Sequence, residues 1–596
     1  MRKLFMLIAI SIPATTVAGQ NLTIADTVKL PIAAGEAQST VVPPGKNSQC
    51  LPGRFLVSND NFRPPNGVVS GQNLDQPGGT PIPSTFDMGS LSPNFSADPA
   101  KTKYTFGSND HDLVSLSNGD VLYITSAWSR MPLNLPSGPG KFGTVQKKDP
   151  DWFKDTFRGD FGPNARTVVL VFRSTDCGAN FTFLSEMDPL RKGDGLCAMP
   201  QIRDNDTGVT PHKPWDMGGT DGQLVKVDPA NDHIFLTFQC VGNHADESKK
   251  PEFVLDRNNP INKTLVLMST NHGASWKDLG YIDQAAWRFG VIPLESDELG
   301  FGLGNSLLFG HLGPGGKYVF DTQGIPASSE LWGWDPEFPA NKNVPVKSIF
   351  ANMWVHPILT RTPDAKSYLL AYPDVIGQSG FGYRVSWFDR GLSHLSAMLP
   401  VFPSNPGPDN FIFHLTAVDP GKGPILLYWY DFDSATKMGT IRGRLIIDGV
   451  FGSEDFTISQ SGGQPNSFAL TTTDPAYWYG DYLTAGGYVS EASTSVGSGK
   501  FKIVTSMTAT YVYYPMWVEP DGTVNYTRLE YAIKADLLGK TAKVVKKLHL
   551  VATPIGASKP WPQPVALSRI NRPARELTRE SDVRREPKQI RVKRPQ

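Results

Sequence analysis

Pairs of short apolar runs, each pair split by a turn, recur along most of the chain. The clearest pair is NDHDLVSLSNGDVLYITSAW from Asn109, where LVSL and VLYIT flank Ser117-Asn118-Gly119-Asp120. Asn, Gly and Asp adopt the tight-turn conformations that other residues resist, so this stretch predicts a β-hairpin. Comparable onsets follow in WDMGGTDGQLVKVDPANDHIFLTFQC from Trp215, in RFGVIPLES with NSLLFGHLGPGGKYVF from Arg288, and in MWVHPILTRTPDAKSYLLAYPDV from Met353. Two more are FIFHLTAVDPGKGPILLYWYDF from Phe411 and YGDYLTAGG from Tyr479, which leads to FKIVTSMTATYVYYPMWVEPDG. The runs are too short for helices and too regular for loops, which predicts an all-β chain of repeated meanders. Such meanders close most economically as a propeller, because radial repetition leaves only short, protected strand edges. Six onsets predict six blades, and seven stay open because the long third and fourth units and the N-terminal stretch have room for further strands.

Composition supports this picture and sets the compartment. The 57 glycines and 50 prolines punctuate turns and interrupt helices. Lysines and arginines equal aspartates and glutamates at 57 each, so the body of the chain offers no field that selects nucleic acid. Met1-Arg2-Lys3, the apolar run LFMLIAISI and the small-residue exit Thr16-Val17-Ala18 predict a secretory signal peptide over residues 1–18. No other stretch is long and apolar enough to span a bilayer, so the expected product is secreted, with no transmembrane segment. Residues 19–100 read as a Pro/Gly-rich lead-in, 101–550 as the propeller and 551–596 as a disordered tail. In that tail Arg584, Arg585, Lys588, Arg591, Lys593 and Arg594 outweigh Glu580, Asp582 and Glu586. The four cysteines, Cys50, Cys177, Cys197 and Cys240, allow two disulfides in three connectivities, and Cys177 with Cys197 is the expected pair. Glycosylation sequons stand at Asn21, Asn94, Asn180, Asn205, Asn262 and Asn525 and matter only in a glycosylating host.

Two units carry a sharper motif. Ser174-Thr175-Asp176-Cys177-Gly178-Ala179-Asn180-Phe181 follows the run TVVLVF, and Ser269-Thr270-Asn271-His272-Gly273-Ala274-Ser275-Trp276 follows TLVLM. Asp or Asn hydrogen-bonds its own turn, Gly takes a backbone conformation closed to other residues, and the aromatic plugs the blade. Both segments resemble the Asp box of sialidases and related BNR-repeat proteins. Trp387-Phe388-Asp389-Arg390-Gly391 resembles a degraded third copy. The sixth unit, with Gly480-Asp481-Tyr482 and Tyr513-Tyr514-Pro515-Met516-Trp517, resembles the last blade of many BNR-repeat proteins. The resemblance spans roughly residues 100 to 535 and implies a sialidase-like propeller. It also implies that Ser174, Asp176, Gly178, Phe181, Ser269, Asn271, Gly273 and Trp276 are structural, since Asp boxes lie at the blade periphery.

In that family the catalytic groups come from the starts of the innermost strands. The onsets then supply Asp110, His111 and Asp112, followed by Trp215, Asp216 and Asp221, then Arg288, Trp354, His356 and His414, and last Tyr479 and Asp481. Aromatic faces cover the C–H surface of a sugar while carboxylates and imidazoles satisfy its hydroxyls, although Asp and His also make ordinary turns and caps. Asp110 or Asp112 as acid, Tyr479 or Tyr482 as nucleophile and Asp481 as its carboxylate partner are the catalytic roles the resemblance implies. His111, Trp215, Asp216, Asp221, Arg288, Trp354, His356 and His414 are then the substrate contacts. The first onset reads Asp-His-Asp-Leu where family enzymes carry Arg-Ile-Pro, and Arg288 is the one onset arginine. A three-arginine clamp for a sialate carboxylate is therefore missing, with Arg361 and Arg384 lying deeper in their units. The expected function is a glycoside hydrolase acting on extracellular carbohydrate without commitment to sialic acid. The alternative is a non-catalytic glycan- or protein-binding propeller. No cofactor is expected, and a metal at the hub, held by Asp110, His111, Asp112, His356, His414 and Asp481, is a further option.

Overall fold

The computed structural model describes residues 22–25, 27–33, 37–58, 66–76, 80–87, 104–130, 165–187, 219–228, 231–245, 255–282, 291–293, 298–303, 306–314, 318–324, 358–361, 367–375, 381–389, 399–407, 410–420, 423–433, 435–436, 438–447, 450–451, 455–461, 484–496, 503–519, 523–536 and 544–545. Among these residues every regular element is a β-strand and no helix occurs. The described residues are all-β, in a succession of antiparallel meanders consistent with a sialidase-like β-propeller.

The apolar runs explain the strands. In Val121–Arg130, Val121 and Tyr123 pack toward the sheet of residues 38–87, while Leu122 and Ile124 pack toward the sheet of residues 219–282. Val169 and Val171 alternate with Leu170 and Phe172 in the same way along Ala165–Ser174. Successive side chains point to opposite faces of a strand, so a strand sandwiched between two sheets needs a continuous apolar run rather than an alternating one. Each such Leu or Phe contributes about 1.5–3 kcal/mol when fully buried.

Four strands of the sheet 104–187, Tyr104–Ser115, Val121–Arg130, Ala165–Ser174 and Thr182–Met187, run side by side in chain order. The sheet of Gly219–Val227, Ile234–Ala245, Leu255–Ser269 and Lys277–Ile282 repeats that arrangement, as does the smaller sheet from Val291–Pro293 to Tyr318–Gly324. Two further meanders, beginning at Ile358–Arg361 and Phe411–Val418, are joined by one parallel pair, Phe381 with Phe411. Gly486–Val496, Ile503–Tyr514 and Leu529–Asp536 form the last meander. The six sequence onsets each lead into one of these meanders.

Part of residues 19–100 forms strands. Gln38–Val42, Arg54–Ser58, Asn66–Asn73 and Ile82–Asp87 make another four-stranded antiparallel sheet, with Val42, Phe55, Leu56, Val57 and Val69 buried. Its first two strands are five residues long and are parted by a loop that turns at Gly45 and Gly53, both at positive φ. The Pro/Gly punctuation therefore marks loops between strands rather than an absence of strands.

The first described strands pair with the last meander. Leu22–Ile24 adds to the last meander by pairing with Leu529, Glu530 and Tyr531, and Val28–Ala33 pairs with Thr523–Tyr526. The first strands of the meanders neighbour one another in order, from Gly486–Val496 to Gln38–Val42, Tyr104–Ser115, Gly219–Val227, Val291–Pro293, Ile358–Arg361 and Phe411–Val418. Gly487 lies against Val418, which brings the last meander beside the one before it.

Candidate functional site

The first strands carry a shared irregularity. Pairing steps from Asn109 with Ser126 to Asp112 with Ile124, from Asp221 with Gln239 to Leu224 with Thr237, and from Phe413 with Tyr430 to Thr416 with Tyr428. Each step leaves one extra residue on the first strand, a β-bulge that bends the strand and re-aims its side chains. All three bulges fall within the onset segments that supply the candidate residues.

Asp112 is buried at its bulge. Its Oδ1 accepts the Leu113 N–H at 2.8 Å, and its Oδ2 accepts the Val225 N–H of the neighbouring first strand at 2.7 Å. The carboxylate thus ties one bulged strand to the next. Hydroxyls extend these ties: Ser115 Oγ donates to the Val41 carbonyl at 2.7 Å, the Ser115 N–H donates to Thr40 Oγ1 at 3.0 Å, and the Ser39 N–H donates to Thr484 Oγ1 at 2.8 Å. His111 is fully buried, its ring stacked on Tyr123 with centroids 5.6 Å apart, and offers no exposed surface to a ligand in this conformation. His414 is the bulge residue of Phe411–Val418, with φ at +49° and its ring edge-on to Tyr430 at 5.4 Å. A non-glycine residue at positive φ inside a strand is held there by its surroundings, and such positions cluster at functional sites.

Asp110 lies in the bulge of its strand and Asp221 pairs with Gln239 just before its own, and the side chains of both are outside the described residues. Trp215, Asp216, Arg288, Trp354, His356, Tyr479 and Asp481 also lie outside the described residues, as does Tyr482. Among the described residues no group of three or more His, Cys, Asp or Glu is placed to hold a metal ion. Tyr513 and Tyr514 of the last unit are structural. Tyr513 donates to the Pro424 carbonyl at 2.6 Å, Tyr514 stacks on Phe55 at 4.5 Å, and burial pushes both phenols up, away from the ionised form.

Both box motifs connect the third and fourth strands of their sheets. In the first, Ser174 Oγ accepts the Gly178 N–H at 2.7 Å and donates to Asp176 Oδ1 at 2.7 Å, while Asp176 accepts the Asn180 N–H at 2.9 Å. The second repeats this with Ser269, Asn271, Gly273 and Ser275 at 2.9 Å for each bond. Gly178 and Gly273 sit at φ +79° and +85°. Phe181 packs on Phe86 at 4.7 Å, and the Trp276 indole N–H donates to Ser185 Oγ at 3.3 Å, so each turn docks on the preceding sheet. Burial pushes the Asp176 carboxyl up, but hydrogen bonds from Asn180 and Ser174 outweigh it and hold the group below the usual carboxylate range.

The disulfide corrects the expected pairing. Cys177 bonds Cys50, with Cα atoms 6.2 Å apart, and not Cys197, which lies outside the described residues. The pairing follows from docking: the first box turn seats against the loop before Arg54–Ser58, where Arg54 also donates to the Cys177 carbonyl at 3.0 Å. Nothing local in the sequence signals that contact, because the two cysteines are 127 residues apart.

The sheet succession, the pairing of Leu22–Ile24 with the last meander and the two box turns are consistent with an Asp-box propeller. The chain resembles the sialidase-type propellers. No family model and no curated protein sequence matches it. Among solved structures it is similar to an intramolecular trans-sialidase from Ruminococcus gnavus, at 11% identity over 74% of this chain and 98% of that one, with a TM-score of 0.31. An α-L-arabinofuranosidase from Fusarium graminearum matches at 11% identity over 85% and 97%, with a TM-score of 0.33. An ulvan lyase, a polysaccharide lyase, matches at 9% identity over 82% and 95%, with a TM-score of 0.34. At these identities and scores the likenesses carry no weight of their own, and the architecture rests on the strands and turns above.

Proposed function

We propose that the chain is an exported, seven-bladed sialidase-like propeller that acts on extracellular glycan as a glycoside hydrolase, without restriction to sialic acid. The observation that supports it is the ordered succession of neighbouring first strands, two of which carry Asp112 and His414 at their bulges. The seven blades are the six meanders foreseen from the onsets plus the sheet of residues 38–87. Residues 1–18 are the proposed leader, and the basic tail from 551 to 596 lies outside the described residues.

Asp110 is the proposed acid and Tyr479, activated by Asp481, the proposed nucleophile. Asp221, Trp215, Asp216, Arg288, Trp354, His356 and His414 are the proposed substrate contacts. Asp112 is proposed as an inter-strand tie rather than the acid, because both its oxygens accept backbone N–H groups. A single onset arginine favours a neutral sugar or a uronate over sialic acid.

The burial of His111, an expected substrate contact, and the occupation of Asp112, an expected acid, favour one second reading, a glycan-binding propeller without turnover. The deciding experiment is turnover of a panel of aryl glycosides and sialosides by the mature protein and by its Asp110→Ala, Tyr479→Phe and Asp481→Ala variants. Hydrolysis that falls about a thousandfold or more in these variants supports the enzyme. No turnover by folded protein that is retained on a glycan array supports the binding module instead.

A further inference from the structure

Asp431, Arg442, Arg444 and Asp455 form a buried quartet of two acids and two bases, with Asp431 paired to Ile412, two residues before His414. Asp431 is on Ile425–Asp433, the arginines stand two residues apart on Met438–Ile447, and Asp455 immediately precedes Phe456–Ser461. Arg444 donates to Asp455 Oδ1 at 2.5 Å. Arg442 reaches both acids, with Nη1 3.4 Å from Asp431 and Nη2 3.6 Å from Asp455. The Asp431 and Asp455 side chains are 8% and 1% exposed. Charges so buried are retained only when paired, and the pairing here is fully balanced.

Asp431 has a second set of partners. The Ser404 N–H donates to both its oxygens, at 3.2 and 3.1 Å, and the Ser404 hydroxyl donates to Oδ2. Ser404 is exposed and belongs to residues 402–407, which follow Leu399–Val401 and precede the first strand Phe411–Val418. Beside it, Asn405 Nδ2 donates to Asp433 at 3.0 Å, and the Asn405 carbonyl accepts Asn410 Nδ2 at 2.7 Å. Phe411 pairs with Phe432, so this segment lies at the end of the sheet where the first strand begins. Burial pushes the Asp431 carboxyl up against the opposing pull of Ser404 and Arg442.

We propose that Asp431 is a positioning residue that fixes residues 402–407 as a rigid polar wall of the first-strand face, a few residues from His414. The inference rests on the reading of that face as the glycan-bearing one. The wall presents exposed Ser404, Asn405 and Pro406, chemistry suited to a hydroxyl-rich ligand, while the quartet behind it keeps the acceptor carboxylate in place.

Hydrogen exchange followed by mass spectrometry on the full chain tests the clamp without any ligand. Asp431→Asn keeps the side-chain shape and removes the charge. It is expected to speed exchange across residues 402–410 about tenfold or more while Met516–Val518 stays protected. Ser404→Ala, at an exposed position, is expected to speed the same segment by a smaller factor with the fold intact. Unchanged exchange in this segment in both variants overturns the proposal. So does a chain-wide rise in Asp431→Asn with no change in Ser404→Ala, because that pattern belongs to packing alone. Glycan-array retention of Asp431→Asn is expected to fall below wild type. Equal retention despite faster exchange overturns the role of the wall in binding, and wild type that neither turns over nor is retained by any glycan sinks the functional reading while exchange still decides the clamp.

Discussion

The two box turns share one hydrogen-bonding scheme and differ in what holds them to their neighbours. Turn 174–181 uses an ionisable Asp176, carries a disulfide to Cys50 and receives Arg54 on the Cys177 carbonyl. Turn 269–276 uses a neutral Asn271 and docks through Trp276 and the Ser185 hydroxyl, which donates to the Gly273 carbonyl at 2.7 Å. The turn itself therefore needs a short side chain with one acceptor oxygen and a glycine at positive φ, and charge is optional. Covalent fastening appears where the turn meets the sheet of residues 38–87, next to the last meander.

The largest expected effect breaks this asymmetry at the disulfide. Replacing Cys50 and Cys177 together by serine should cost about 2–4 kcal/mol in denaturant unfolding, since the bridge closes a long loop and both sites are buried. Equal stability would mean that the contacts between the two sheets suffice alone. Next in size, Gly178→Ala should cost about 1–3 kcal/mol and Gly273→Ala somewhat less. Both need positive φ, but a Cβ at Gly178 would meet Leu56 at 2.8 Å, against 3.2 Å to Leu122 at Gly273. A reversed order would show that the Leu56 side chain yields more readily than the second turn.

The smallest effect is a pH difference. Asp176 has a depressed folded pKa, so its contribution is present above its unfolded value near 3.8 and is lost as pH falls through the folded value. Melting temperatures of wild type and Asp176→Asn should agree closely near neutral pH, because Asn271 already performs the same role. Wild type should lose its small excess below about pH 4. Asn271→Asp should gain the acid sensitivity that Asp176→Asn loses, and identical pH profiles for all three proteins would remove ionisation from the account of the first turn.

How much the sequence reveals depends on whether a feature is local. The box turns were legible because Ser, Asp or Asn, Gly and the aromatic all fall within eight residues and bond one another. The Asn118-Gly119 hairpin was legible for the same reason, with Leu116 and Asp120 closing the turn at 2.8 Å. The sheet of residues 38–87 was hidden because its short strands are interrupted by Pro and Gly, although the runs STVV and RFLVS are visible in retrospect. The Cys50 partner, the Leu22–Ile24 closure and the Asp431 quartet were not legible, since each is made by residues that only tertiary packing brings together. The bulge at His414 was equally silent, because a positive φ at a histidine leaves no trace in composition.

The contrast between strand starts and box turns also yields the most direct test of the functional account. Hydroxyl-radical footprinting of the full chain, with and without a saturating glycan that the protein retains on an array, reads which surface a sugar covers. The account predicts protection at the first-strand starts, around residues 109–112, 221–224, 411–416 and 479–482, with both box turns unchanged. Protection confined to 174–181 or 269–276 would place the ligand on the periphery and contradict a site at the strand starts.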